Sequence, residues 1–372
     1  MCRIGAIKSL APLPPSRALQ LMLPQQEGHD NSGFAMVMQD LEGIFAHCKD
    51  KPLLSLACTP KGEQLVNAWM EEHGFVQVAQ WAPDVNKRSG LNIELMPRYV
   101  FRNYDYPEIY RYRTEKEREE LLLDTRLALR DLLSGKDGGH DEGYVYSFWP
   151  DVLTLKEIGD PADIAVYFRL WEDTGRLLAR NIVIQCRQNT NYAIVRYAAH
   201  PFFLQGYTLC ATGENTFFSR NREFQKALHR GYTGFESDSQ CLLYTLHYVL
   251  RELGWPLQYY KHVITPLPVP RMGQRPDRDA LVSVRESLAH LEISGPNAII
   301  ALLPDGRLLA CSDAGKLRPL VVGRGQDMLA VTSEVCGLNA VFPDRDFETD
   351  IYPGGRDLVV IDNGLEVHQW RQ

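Results

Sequence analysis

The sequence predicts an α+β chain built largely from antiparallel hairpins. Three observations carry this. Apolar runs of strand length recur through the chain, such as NIVIQC from Asn181 and LVVID from Leu358, separated by Gly and Asp turns. Only four segments have helical spacing of their apolar residues. No GxGxxG follows a strand, and there is no phosphate-binding GxxxxGK loop and no HExxH, so nothing points to a nucleotide or flavin site.

Taken in order, residues 2–8 alternate like a short strand and end in the Pro-rich turn APLPP. Ser16 to Leu23 forms a short helix stopped by Pro24. The turn GHDNSG then feeds the apolar strand beginning at Phe34, and Lys61 to Glu72 is helical, with Gly74 as its stop. Residues 114–134 give the clearest helix, with a leucine stripe and a capping box from Thr114 and Glu117. From Tyr144 the pattern returns to strands, including YAIVRYAA at 192–199, until a further helix after Ser237. The last third is again strand-rich, and no internal repeat is present.

With 372 residues, 45% of them hydrophobic, the chain has material for one large core or two modest ones. A net charge of -7 with scattered Lys and Arg argues against a nucleic-acid partner. No apolar run reaches bilayer length, and residues 1–20 lack the sustained apolar core of a signal peptide, so a cytoplasmic protein with no membrane partner is expected. None of the eight cysteines lies in a Cys-x-x-Cys pair or a zinc or iron–sulfur spacing, so no metal and no cofactor are expected. Cys58, Cys186 and Cys210 sit in apolar runs as small core residues.

Cys2 differs by its position. If Met1 is removed, Cys2 carries both a thiol and a free α-amine. An α-amine with a pKa of about 7.7–8.0 can take the thiol's proton and return it to a leaving amine. By itself a cysteine at position 2 is a small residue with no assigned task.

Other segments add to it in order. Gly28-His29-Asp30-Asn31-Ser32-Gly33-Phe34-Ala35 resembles the "RG-x-DS-x-G-I-A" turn of class II glutamine amidotransferases. Val195 to His200 is similar to that family's "R-[FWY]-[SA]-T" strand, Ala211 to Thr216 to its "HNGEINT", and Glu236 to Gln240 to its "SDSE". The stretch from Gly295 to Gly323 is similar to the region carrying "DPLGIRPL". Within the family the glutamate synthase amidotransferase domain is the nearest resemblance, through Gly213-Glu214-Asn215-Thr216 and the segment Glu142 to Glu157.

The resemblance implies an N-terminal nucleophile (Ntn) hydrolase fold, a four-layer αββα sandwich. Residues 1–44 and 181–372 would form its core, and residues 45–180 a large α/β insertion. It implies hydrolysis of glutamine through a γ-glutamyl thioester on Cys2, with ammonia passed to a separate flavin and iron–sulfur subunit of glutamate synthase type. Arg196 would hold the substrate carboxylate and Asp238 its ammonium. Gly213 would stabilise the oxyanion, together with Thr212 or Asn215. Thr212 stands where the family has Asn, and Arg3 where it usually has Gly. These departures keep two alternatives open: a stand-alone γ-glutamyl amide hydrolase, and a degenerate regulatory subunit. Apart from the resemblance, Arg196 is equally a surface residue, Asp238 a helix cap, and His29, Asp30 and His200 structural.

Overall fold

A computed structural model describes residues 2–135, 141–189 and 193–372. The first strands are β1 (Arg3–Leu13), β2 (Phe34–Gly43), β3 (Pro52–Cys58), β4 (Val76–Trp81), β5 (Arg98–Asp105) and β6 (Gly143–Pro150). Next come β7 (Val152–Glu157), β8 (Leu177–Cys186), β9 (Phe202–Leu204), β10 (Tyr207–Gly213) and β11 (Asn297–Leu302). The last are β12 (Leu308–Ser312), β13 (Val321–Arg324), β14 (Met328–Thr332), β15 (Asp357–Ile361) and β16 (Val367–Arg371).

They form three sheets, ordered β13-β14-β1-β8-β2-β7, β16-β15-β12-β11-β10-β9 and β4-β5-β3-β6. The ladders are antiparallel, as the hairpin-rich sequence predicts.

Alternation along the strands builds the layers. On β1, Ile4 and Ala6 face the second sheet and pack with Val183, Cys210, Ala298 and Ile300. Ile7 joins the opposite core with Met36 and Ile184, where Leu19, Met22 and Leu338 of helices Pro15–Met22 and Val335–Val341 cover the first sheet. The outer face of the second sheet buries Leu209 and Ile299 against Leu242, Leu246 and Tyr260 of helices Ser239–His247 and Gln258–Ile264. Each such side chain contributes about 1.5–3 kcal/mol when fully buried, so two filled sheet faces supply most of the driving force.

One expectation gains detail and another needs correction. Within residues 45–180, expected as an insertion attached to the core, β7 pairs with β2 from Phe34↔Glu157 to Gln39↔Val152. A single residue, Asp151 (φ 58°), turns the chain from β6 in the third sheet to β7 in the first, and its carboxylate accepts the Leu41 N–H at 2.7 Å. The apolar run around Arg196 is no strand: Arg196–Ala198 is a 3₁₀ turn. Lys156 explains why, since its fully buried ammonium takes the carbonyls of Tyr197 (3.2 Å) and Ala199 (2.7 Å) as acceptors.

The helix at 114–134 is found as Glu115–Leu133 with its Thr114/Glu117 capping box. No helix among the described residues is long and apolar enough to cross a membrane.

Candidate active site

β1 lies between β14 and β8 in the first sheet, with Arg3 opposite Cys186. That register sets residue 2 beside the segment that leaves β8. The Cys2 sulfur lies 3.4 Å from both the N–H and the carbonyl oxygen of Gln188. The second sheet reaches the same point from the other side, where the Thr212 hydroxyl at the end of β10 donates to the Cys2 carbonyl at 2.7 Å.

The cavity here is lined by Cys2, Arg187, Gly213, Glu214, Asp238 and Arg318, with His200 and Ser237 among the further lining residues. Arg187 is 3% exposed. Its Nη2 donates to Asn189 Oδ1 (3.0 Å) and the Ala193 carbonyl (3.3 Å), while its Nη1 is buried without a hydrogen-bond partner among the described residues. Burial pulls this guanidinium's pKa down, against the pull of Cys2, Asp30 and Asp238. A buried cation with an unused donor calls for an anion.

The GHDNSG turn props this segment from below. Asn189 N–H donates to Asp30 Oδ2 and to Ser32 Oγ, each at 2.9 Å, and Gln188 Nε2 donates to the Gly28 carbonyl at 2.9 Å. Asp30 therefore acts through the backbone it holds.

Asp238 is 6% exposed and opens helix Ser239–His247 without capping it through its side chain. Its Oδ2 accepts the Asn215 N–H at 2.6 Å, and Ser237 and Ser239 hydroxyls lie 3.3 Å from Oδ1. Burial raises its pKa to about 6 against those hydrogen bonds. Burial likewise pushes the Cys2 thiol up, while the Gln188 N–H and Arg187 pull it down.

Gly213 is required by geometry. Its φ is 125°, and an added Cβ would lie 1.8 Å from the Pro296 carbonyl oxygen. Gly213→Ala is expected to cost at least about 2–3 kcal/mol and to lower the melting temperature measurably, whatever the catalytic outcome.

Cys2, Gly213 and Asp238 thus share one cavity, and Arg196 is not among its lining residues. The Arg196 Nε is held by Glu157 at 2.8 and 3.0 Å, and Nη2 by the Leu95 carbonyl at 2.8 Å, against the third sheet. Two arginines line the cavity, Arg187 and Arg318, and of these Arg187 is the buried one. The sequence offers no more for it than its place directly after an apolar run, which Arg196 shares; the pairing of that run with both β1 and β2 is what brings Arg187 to Cys2. Asn215 is committed elsewhere too, its Nδ2 donating to Asn221 Oδ1 at 2.8 Å and its Oδ1 accepting the Phe217 N–H at 3.1 Å. One group among the described residues has metal-ligand spacing, the surface set Asp362, Glu366 and His368, and none of the three lines the cavity.

No family model matches the chain. An uncharacterized protein of Archaeoglobus fulgidus is 26% identical over 208 residues, 55% of this chain. The chain spans about half, 54%, of that relative's length. Among solved structures, the chain is similar to the allosteric regulatory enzyme of purine biosynthesis, with a TM-score of 0.40 and 15% identity over 59% of this chain and 40% of the other. It is similar to the glutamine phosphoribosylpyrophosphate amidotransferase from B. subtilis at 0.35, with 15% identity and the same coverage, 59% and 40%. A glutamine aminotransferase class-II domain protein from Silicibacter pomeroyi scores 0.36 at 12% identity, over 59% of this chain and 84% of its own. Likeness at this level does not assign chemistry, which belongs to the site.

Proposed function

We propose that this chain hydrolyses the side-chain amide of glutamine, with Cys2 as nucleophile, on an Ntn-hydrolase αββα scaffold. The observation that carries the reading is one cavity holding a thiol, a buried guanidinium with an unused donor and a buried carboxylate. An amino-acid head group carries one anion and one cation. Arg187 suits the carboxylate and Asp238 the ammonium, which leaves the side-chain amide to reach Cys2.

In this mechanism Met1 is removed and the α-amine of Cys2 takes the thiol proton. The sulfur attacks the amide carbon, and the carbonyl oxygen becomes an oxyanion that the Gly213 N–H meets. The α-ammonium returns its proton to the leaving nitrogen, and ammonia departs as the C–N bond breaks. Water then cleaves the γ-glutamyl thioester, releasing glutamate and restoring the thiol. Thr212 holds the Cys2 carbonyl and so orients the nucleophile, and Asn215 supports Asp238 through its backbone.

Glutamine-dependent release of ammonia by the purified protein tests this; no release above a Cys2→Ala control contradicts it. The pH dependence has a definite sign. Asp238 must be ionised to hold the ammonium, and its raised pKa of about 6 leaves it mostly ionised at pH 7. Because the α-amine must be unprotonated to take the thiol proton, kcat/KM already falls about tenfold per unit below its pKa of about 7.7–8.0. Protonating Asp238 as well is expected to steepen that fall to about a hundredfold per unit well below pH 6, and a slope that stays about tenfold contradicts a part for Asp238.

The ammonia acceptor is proposed to be a flavin and iron–sulfur subunit of glutamate synthase type. Co-purification of the native protein with a flavoprotein is the expected result, and its recovery always alone contradicts it. One observation favours a stand-alone γ-glutamyl amide hydrolase instead. The Thr212 hydroxyl is spent on the Cys2 carbonyl, so the oxyanion side has no side-chain amide at that position. Faster turnover of other γ-glutamyl compounds than of glutamine would select that reading.

A further inference from the structure

His200 lines the cavity beside Asp238 but is buried, and the mechanism above gives it no task. Its hydrogen bonds fix a direction. The Ala211 N–H points at His200 Nδ1 from 3.4 Å, and an N–H needs an acceptor. Gln185 gives the same answer. Its Oε1 accepts the His200 N–H at 2.7 Å, so its Nε2 is the NH₂ end, which donates to the Ala211 carbonyl (3.0 Å) and faces Nδ1 at 3.0 Å. Two donors at Nδ1 leave the ring hydrogen on Nε2, which lies 3.1 Å from Ser237 Oγ. Ser237 Oγ also accepts the Ser239 N–H at 3.4 Å, so its own hydrogen is free for Asp238 Oδ1 at 3.3 Å.

We propose that His200 is a positioning residue: as the neutral Nε2–H tautomer it locks the Ser237 hydroxyl as a donor to Asp238 and so orients that carboxylate toward the substrate ammonium. The inference rests on Asp238 being the ammonium site. Its supports are independent of catalysis, since a chain of hydrogen bonds from Gln185 through His200 and Ser237 to Asp238 has only one consistent polarity. The imidazole is kept neutral by burial, reinforced by the cations Arg187 and Lys156.

Since the ammonium is held equally in ground and transition states, the effect falls on binding. His200→Ala is expected to raise KM for glutamine about tenfold or more, with kcat within about twofold, as for loss of one hydrogen bond to a charged group. His200→Gln, whose Nε2 retains a donor, is expected to recover most of the affinity. Ser237→Ala breaks the same link one step later and is expected to reproduce the KM change, which keeps the test open if His200→Ala does not fold.

An unchanged KM in folded His200→Ala or Ser237→Ala overturns the proposal, and so does a loss confined to kcat. Imidazole ¹⁵N shifts give a readout free of activity: Nδ1 unprotonated and Nε2 protonated from pH 5 to 8 is expected, and a proton on Nδ1 overturns the proposal. If the wild-type protein shows that tautomer but neither hydrolyses glutamine nor is labelled at Cys2, the glutamine reading has failed, and the positioning role of His200 toward the substrate ammonium falls with it.

Discussion

Replacing Cys2 with Ala is expected to reduce glutamine hydrolysis to background, a loss of about four orders of magnitude or more, as for loss of a covalent nucleophile. Alanine is small enough to keep Met1 removal favourable, so the variant retains the α-amine and loses only the sulfur. The fold is expected to persist. The Cys2 carbonyl still accepts the Thr212 hydroxyl, and the ladders of β1 with β14 and β8 begin beyond residue 2. Steady-state ammonia release together with a melting curve checks both parts. Retained activity would move the chemistry to another residue.

The second large effect separates two arginines nine residues apart in the chain. Arg187→Ala removes the buried guanidinium at the cavity and is expected to cost about 2–5 kcal/mol of substrate binding, roughly 30- to several thousand-fold in kcat/KM. Lysine is expected to restore little, because a point charge does not reproduce a planar fork.

Arg196→Ala is expected to act on stability instead. Glu157 is fully buried, and apart from Arg196 its hydrogen-bond partners are the Tyr99 hydroxyl and the Ile158 N–H. Burial already raises its pKa, with Arg196 foremost in opposing that. Without Arg196 the carboxyl takes up a proton or stays charged at a cost, destabilising the fold by about 3 kcal/mol while KM of the folded protein stays unchanged. Denaturant midpoints and kinetics on both variants resolve the two roles. A KM effect at Arg196 with none at Arg187 would reverse the assignment.

That pair also marks how far the sequence could be read. Both arginines adjoin apolar runs, and only strand pairing tells them apart. NIVIQC becomes β8 and delivers Arg187 to Cys2, whereas the run around Arg196 gives its carbonyls to buried Lys156 and cannot join a ladder. Nothing local to Arg196 announces a lysine some forty positions earlier.

The elements fixed by short-range chemistry were legible. The helix at 114–134 follows from its cap and leucine stripe, whereas Gly213 and Asp238 were marked only by the family resemblance, Asp238 reading locally as a helix cap. The passage from β6 to β7 was hidden because one left-handed residue, Asp151, carries the chain between sheets, and aspartate in a turn is too common to signal that. The helix Gln258–Ile264 escaped notice because its sequence, QYYKHVI, is short and mostly buried, Lys261 and His262 included. Such a helix has no polar face to set a period.

The measurement closest to the core of the account is an intact mass before and after treatment with 6-diazo-5-oxo-norleucine, followed by peptide mapping. The expected result is a chain lacking Met1 that gains one label, on Cys2, with glutamine protecting it. A chain that keeps Met1 and leaves Cys2 unlabelled, or a label on another cysteine, would contradict it.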